Sequence, residues 1–331
     1  MTDTDTAVPK QPETASLPLP DQGYVRLTDR ILVRVSGPGT DKFLQGQFSQ
    51  HLEEVTADRA LRAAASSPKG RAYCLTRLAR DGDSVILDLP AALAEQTLGQ
   101  LRKYLMLFRG TTMETLDDGV IWGILGQETA RAAVDRDISG LRAPGDALGI
   151  DSGLLIRVES DDRGIERYEL WQTSGNQPVF RAASQLSLAD WHATEIAAGV
   201  PALDEAGWEA FVPQMLNLQH LGGIHFKKGC YTGQEVIARM HFLGQLKKSL
   251  FRFRSSGDVT PGADVKKGDR TVGTVVNRVP FSDGSVELLA VIRHDAADQA
   301  LSVEGNNLTA LPLPYAVPER EQGGDQESSA G

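Results

Sequence analysis

Asn217-Leu-Gln-His-Leu-Gly-Gly-Ile-His-Phe-Lys-Lys-Gly-Cys-Tyr-Thr-Gly-Gln-Glu-Val-Ile-Ala-Arg239 concentrates more chemistry than any other segment of this chain. Thr232 and Glu235 stand at capping-box spacing, which predicts a helix beginning at Gly233 with Val236, Ile237 and Met240 turned inward. Cys230 then precedes a helix N-terminus. The partial positive charge there, together with Lys227 and Lys228, is expected to lower the thiol pKa below its free value of ~8.5. Gly229 and Gly233 flank the thiol and allow close backbone approach or positive φ. The residue types point to a reactive thiolate beside an anion site, and they name no reaction. A buried cysteine that fills space is the plainer alternative.

Outward from this segment, the charge distribution supports an anionic ligand. Residues 227–254 hold seven Lys or Arg and one acid, Glu235, in a chain whose net charge is −10. The two ends, 1–23 and 316–331, contribute −3 each and leave −4 for the body. A local basic strip fits a small anion better than bulk nucleic acid, which takes a basic face across a whole domain; a solvated charged surface is the alternative. The most apolar run, residues 85–94, is interrupted by Asp88 and Pro90, so no membrane span is expected. The N-terminus, with Asp3 and Asp5, has no apolar segment of secretory type, and a cytoplasmic protein is expected. Cys74 and Cys230 are too few for a disulfide framework. His220, His225 and His241 lie near Cys230 at spacings that match no metal-ligand pattern.

At 331 residues the chain has room for two or three domains. Residues 1–22 are polar and aperiodic and are expected to be mobile. Strand patterning begins at Arg26, with Leu32, Val33 and Val35 apolar, turns at Ser36-Gly37-Pro38-Gly39, and leads to a helix capped by Thr40. A hairpin is predicted over 60–65 and 72–78, then a strand over 85–89 and a helix over 91–108. A second unit opens with a strand over 120–125 and a helix over 128–134. It continues with strands over 154–158 and 168–171 and a helix over 178–186. From Leu250 short strands follow one another without helical interruption, as in a small β-barrel.

Lys227-Lys228-Gly229-Cys230-Tyr231-Thr232-Gly233-Gln234-Glu235 resembles the signature motif of the YgfZ family, K-G-C-Y-x-G-Q-E. Ala198-Gly199-Val200-Pro201 resembles the family's A-G-I-P segment, and Phe211-Val212-Pro213-Gln214 with Asn217-Leu218 its F-I-P-Q…N-L stretch. Phe43-Leu44-Gln45-Gly46-Gln47, Pro68-Lys69-Gly70-Arg71 and Leu311-Pro312-Leu313-Pro314-Tyr315 fall in matching order, so the likeness runs from about residue 24 to 316.

The resemblance implies an α+β, T-protein-like fold, the folate-binding fold of aminomethyltransferases: two α/β units around a central cavity plus a small C-terminal β-barrel. The first unit is expected over 23–117 with 190–246, the second over 118–189 and the barrel over 247–316, between disordered tails at 1–22 and 317–331. Implied with the fold are tetrahydrofolate, or a one-carbon derivative of it, and support for assembly or repair of iron–sulfur clusters in client enzymes. One such client is the enzyme that methylthiolates tRNA. Partners would be folate and iron–sulfur client enzymes or cluster-assembly proteins, with no direct nucleic-acid contact. Cys230 is the candidate catalytic residue, in folate-dependent one-carbon or redox chemistry. Trp191 matches a folate-contacting tryptophan, although a core anchor is its other reading. Arg30 occupies a position where family members often carry an aromatic residue; it could stack on a pterin or pair with the folate tail. Lys228, Gln234 and Arg239 are lesser candidates. One rival is a non-catalytic, folate-stabilised scaffold. The other is an aminomethyltransferase, disfavoured because the hairpin at Lys69-Gly70-Arg71-Ala72-Tyr73-Cys74 carries no acid until Asp81.

Overall fold

The computed structural model describes residues 13–175, 178, 180, 183–242 and 246–318. Its first two strands, β1 (Gly23–Arg26) and β2 (Arg30–Ser36), enter different sheets. β2 joins β3 (Leu61–Ser66), β4 (Ala72–Asp81), β5 (Ser84–Pro90) and β6 (Thr112–Thr115) in an antiparallel sheet of order β3-β4-β5-β2-β6. Two helices, α1 (Thr40–Gln47) and α2 (Ala94–Leu105), cover its outer face. Phe43, Leu44, Leu98 and Leu101 are buried there against Val33, Val35, Val85 and Leu87. Each such side chain stabilises by roughly 1.5–3 kcal/mol. Thr40 is the first helical residue rather than the cap, which is Gly39, and its hydroxyl donates to the Gly37 carbonyl at 2.9 Å. The helix expected to 108 ends at Leu105, leaving Met106 and Leu107 exposed.

β1, placed by the sequence reading in the first unit, pairs instead with β7 (Val120–Leu125). The second sheet adds β8 (Ala147–Ile150), β9 (Gly153–Val158) and β10 (Arg167–Gln172) in the order β1-β7-β10-β9-β8, with α3 (Gln127–Val134) outside it. The inner faces of the two sheets meet: Leu32 and Ile86 of the first pack in one cluster with Ile121, Ile156 and Trp171 of the second. Of the helix expected over 178–186, the described residues are not helical, and Gln185 bridges Tyr24. The helix here is α4 (Leu188–Ala197), begun by a capping box in which Asp190 N–H donates to Ser187 Oγ and Ser187 N–H to Asp190. That cap fixes the start at Leu188, ten residues after the start that apolar spacing suggests.

After α5 (Gln234–Phe242), six strands close into a barrel: β11 (Lys248–Ser255), β12 (Asp264–Lys267), β13 (Arg270–Pro280), β14 (Val286–Arg293), β15 (Leu301–Val303) and β16 (Asn306–Leu311). β16 pairs back onto β11 and leaves no free edge. Residues 13–22 are not the mobile segment expected. Ala15 N–H donates to Pro280 at 2.8 Å and Ser16 N–H to Asp190 at 2.7 Å, so this stretch straps the barrel to α4. The expected tails at 1–12 and 319–331 lie outside the described residues. Among the described residues no helix is long and apolar enough to cross a membrane.

Candidate functional site

The two sheets, α4 and the barrel enclose a central cavity of about 180 Å³. Arg30 of β2, Tyr73 and Cys74 of β4, Asp88 of β5 and Glu169 of β10 form one side of it. His192 and Glu195 of α4 and Asn277 and Arg278 of β13 form the other. Asn277 reaches this wall because a β-bulge between Val275 and Asn277 re-aims the strand, sending Val275 into the barrel and Val276 out of it.

Arg30 organises the charges. Its guanidinium donates to Glu169 at 2.7 and 3.1 Å and to Asp88, and Glu195 stands 3.9 Å away. Asp88 also accepts the Arg77 backbone N–H at 2.7 Å, and Glu169 accepts the Trp171 indole N–H at 2.8 Å. Burial works to raise the Glu169 pKa, but the Arg30 charge and its hydrogen bonds outweigh it and hold the carboxylate at about 2. Deeper in, Arg62 grips Glu159 with two bonds of 2.6 and 2.7 Å. His192 lies 3.0 Å from Asp29. Burial disfavours the imidazolium, yet the Asp29 hydrogen bond and the Glu195 charge raise its pKa overall. Burial, with Asp88 nearby, pushes the Cys74 thiol far above the ordinary range, which keeps it protonated.

Within this matched set three polar atoms lack a partner among the described residues: Asp29 Oδ1, Tyr73 Oη and Asn277 Oδ1. All three residues line the cavity. Two acceptors and a hydroxyl left unpaired at a buried wall are expensive unless something polar meets them. A planar heterocycle with N–H donors and a carbonyl acceptor suits them.

The thiol loop is built elsewhere. Lys228 is buried, and its ammonium donates to the Gln45 carbonyl at 2.7 Å and to the Phe48 carbonyl, at the end of α1. Thr232 N–H donates to Gly46 at 3.0 Å and His225 N–H to Ser49 at 2.9 Å. Gly233 has φ +83°, and a Cβ there would fall 2.7 Å from the Ser67 carbonyl, so only glycine lets α5 start against the Ser67–Gly70 turn. Gly229 has open space and no positive φ. The expected Thr232–Glu235 box is absent: the Thr232 hydroxyl turns to Gly46 and Gln47, and Gln234 caps the helix by accepting the Tyr231 N–H at 3.2 Å. Cys230 is exposed at the crest of this loop.

The sequence-selected residues therefore do not converge. Of the six, Arg30 alone lines the cavity. Trp191 is fully buried in the core between the sheets, with the Arg167 guanidinium 4.2 Å above its ring. It is absent from the cavity lining. Lys228 is committed to α1 and Gln234 to its helix start, while Arg239 lies exposed on α5. Cys230 is accessible, as expected, but is absent from the cavity wall.

No family model matches the chain. It is 33% identical over 325 residues to the tRNA-modifying protein YgfZ of Escherichia coli O157:H7 (strain EC4115 / EHEC), covering 94% of this chain and 98% of that protein. The same values hold for the protein of that name in Escherichia coli O45:K1 (strain S88 / ExPEC). The chain belongs to the YgfZ family. Its fold is that of the glycine cleavage system aminomethyltransferase T of Bartonella henselae, with a TM-score of 0.68 at 13% identity over 89% of this chain and 86% of the other. The fold expectation, T-protein-like with a C-terminal barrel, is thus met.

In this YgfZ chain, sequence reading missed Asp29, Tyr73, Asn277 and His192. Tyr73 sat in the quoted hairpin and was the most findable, as an aromatic with a polar tip next to a cysteine. Asn277 depends on a bulge, and His192 on the helix start that was misplaced.

Proposed function

We propose that this cytoplasmic protein binds tetrahydrofolate, or a one-carbon derivative, in the central cavity and serves tRNA modification by supporting iron–sulfur enzymes. The observation that carries the ligand reading is that three cavity-lining residues, Asp29, Tyr73 and Asn277, each hold a buried polar atom with no partner among the described residues. Asp29 and Asn277 would accept N–H groups of a pterin edge, and Tyr73 would donate to its carbonyl. Arg278, paired at 2.9 Å with the exposed Asp258, would exchange that partner for the glutamate carboxylates. When bound, the folate supplies a carrier for one-carbon units on nitrogen. Arg30 keeps Asp88 and Glu169 engaged in ion pairs, so neither is free to steer a reacting amine. This argues against aminomethyl transfer.

Cys230 acts on the outside in this reading. Its exposure and absence from the cavity wall support a thiol presented to a protein partner rather than to the bound folate. The thiol would lose its proton to solvent and donate an electron pair to iron of a client's cluster, which is the substrate. Cys230→Ala is expected to keep tetrahydrofolate binding and lose support of cluster enzymes in a complementation assay. Full support by this variant would leave the folate-stabilised scaffold as the better reading.

A further inference from the structure

A second hollow, of about 200 Å³, lies between the hairpin turn of the first sheet and the outer face of the barrel. It shares no lining residue with the central cavity. Its floor spans three neighbouring strands: Thr274 of β13 and Val291 of β14 are directly paired, and Lys248 of β11 lies two residues along from the partner of Val291, Leu250. Its roof is Arg71, Phe211 and Met215.

The charges here differ from those in the central cavity. There each arginine faces a carboxylate; here Arg71 and Lys248 line one half-buried hollow that has no acid in its wall. Arg71 spends one N–H on the Ala210 carbonyl, and no carboxylate among the described residues pairs with either cation. Two cations held close without a counter-charge repel each other, and partial burial weakens the screening that would relieve them. Phe211, Met215 and Val291 add apolar wall. A guanidinium fork, a lysine point charge and a threonine hydroxyl around an apolar pocket form a receptor for an oxyanion with a short hydrocarbon body.

We infer that this hollow is a binding site for a small amphiphilic oxyanion, a carboxylate or a phosphate monoester, separate from the central cavity. Arg71 binds the head group through the N–H groups it does not spend on Ala210, and Lys248 supplies the second charge. The apolar body lies against Phe211 and Met215.

Calorimetric titrations with butyl phosphate and with pentanoate test this, with 1-pentanol as the neutral control. Wild-type protein should bind at least one anion with 1:1 stoichiometry and should not bind the alcohol, and the tighter anion identifies the head group. Lys248→Met keeps the stem and breaks no side-chain hydrogen bond among the described residues. It should raise the dissociation constant about tenfold, the effect of one charged contact. Arg71→Gln should do at least as much. Tetrahydrofolate binding should be the same in Lys248→Met as in wild type. The inference is overturned if neither anion binds, if pentanol binds equally, or if Lys248→Met binds the anion as tightly as wild type. A parallel loss of tetrahydrofolate affinity in Lys248→Met would also overturn it, by making the hollow part of the folate site.

Discussion

The Lys228 ammonium donates to the Gln45 carbonyl across 2.7 Å, and this bond ties the signature loop to the end of α1. It explains physically why the Gln45-Gly46-Gln47 segment and the Lys228–Gln234 segment occur together. One supplies open helix-end carbonyls, the other the donor that satisfies them.

Lys228→Met should therefore destabilise the fold at neutral pH by roughly 1–3 kcal/mol, since it strips a donor from two carbonyls. Burial lowers the Lys228 pKa from 10.5 to about 7. Between those values the folded chain binds fewer protons than the unfolded one, so this group's contribution to stability grows as pH rises from about 7 toward 10.5. Urea unfolding at pH 7 and pH 9 should show wild type gaining on the variant. An equal pH response in both would refute the assignment.

Trp191 fills the space between the sheets. Trp191→Ala should cost about 3–5 kcal/mol of stability. Gly123→Ala should also destabilise, because its Cβ would sit 2.6 Å from the Trp191 ring. Trp191→Phe should bind tetrahydrofolate within about threefold of wild type, a shift below the worth of one hydrogen bond. A large loss of affinity in a variant that melts normally would return the tryptophan to the site.

Arg30 neutralises Asp88 and Glu169 together, and Arg30→Gln should cost about 3–5 kcal/mol by stranding buried carboxylates. Glu169 is held at about 2 against an ordinary 4.5, so its stabilisation is complete above pH 4.5 and is lost as pH falls toward 2. Chemical unfolding at pH 6 and pH 3 should show wild type losing more stability on acidification than Arg30→Gln. Parallel losses would contradict the pairing.

The sequence made the fold legible where local rules act alone. Hairpin turns around Gly70 and Gly82 and the alternation of β11 could be read from turn chemistry and period. α4 was misplaced because its start is set by the reciprocal Ser187–Asp190 cap, while apolar residues upstream imitate a helix. The site was harder. Side chains gathered by sequence proximity, such as Cys230, Lys228 and Arg239, diverge once the loop folds onto α1. The cavity instead draws Asp29, Tyr73, His192 and Asn277 from elements far apart in the chain. No short-range pattern encodes that meeting.

Everything proposed for the ligand depends on the unpaired polar groups of three cavity-lining residues, Asp29, Tyr73 and Asn277. Calorimetric titration of tetrahydrofolate into wild type, Tyr73→Phe and Asn277→Leu measures them directly. The account predicts one site per chain in wild type, with affinity reduced roughly tenfold in each variant while the melting temperature stays within a few degrees. Absence of binding, or binding that neither substitution weakens, would contradict it.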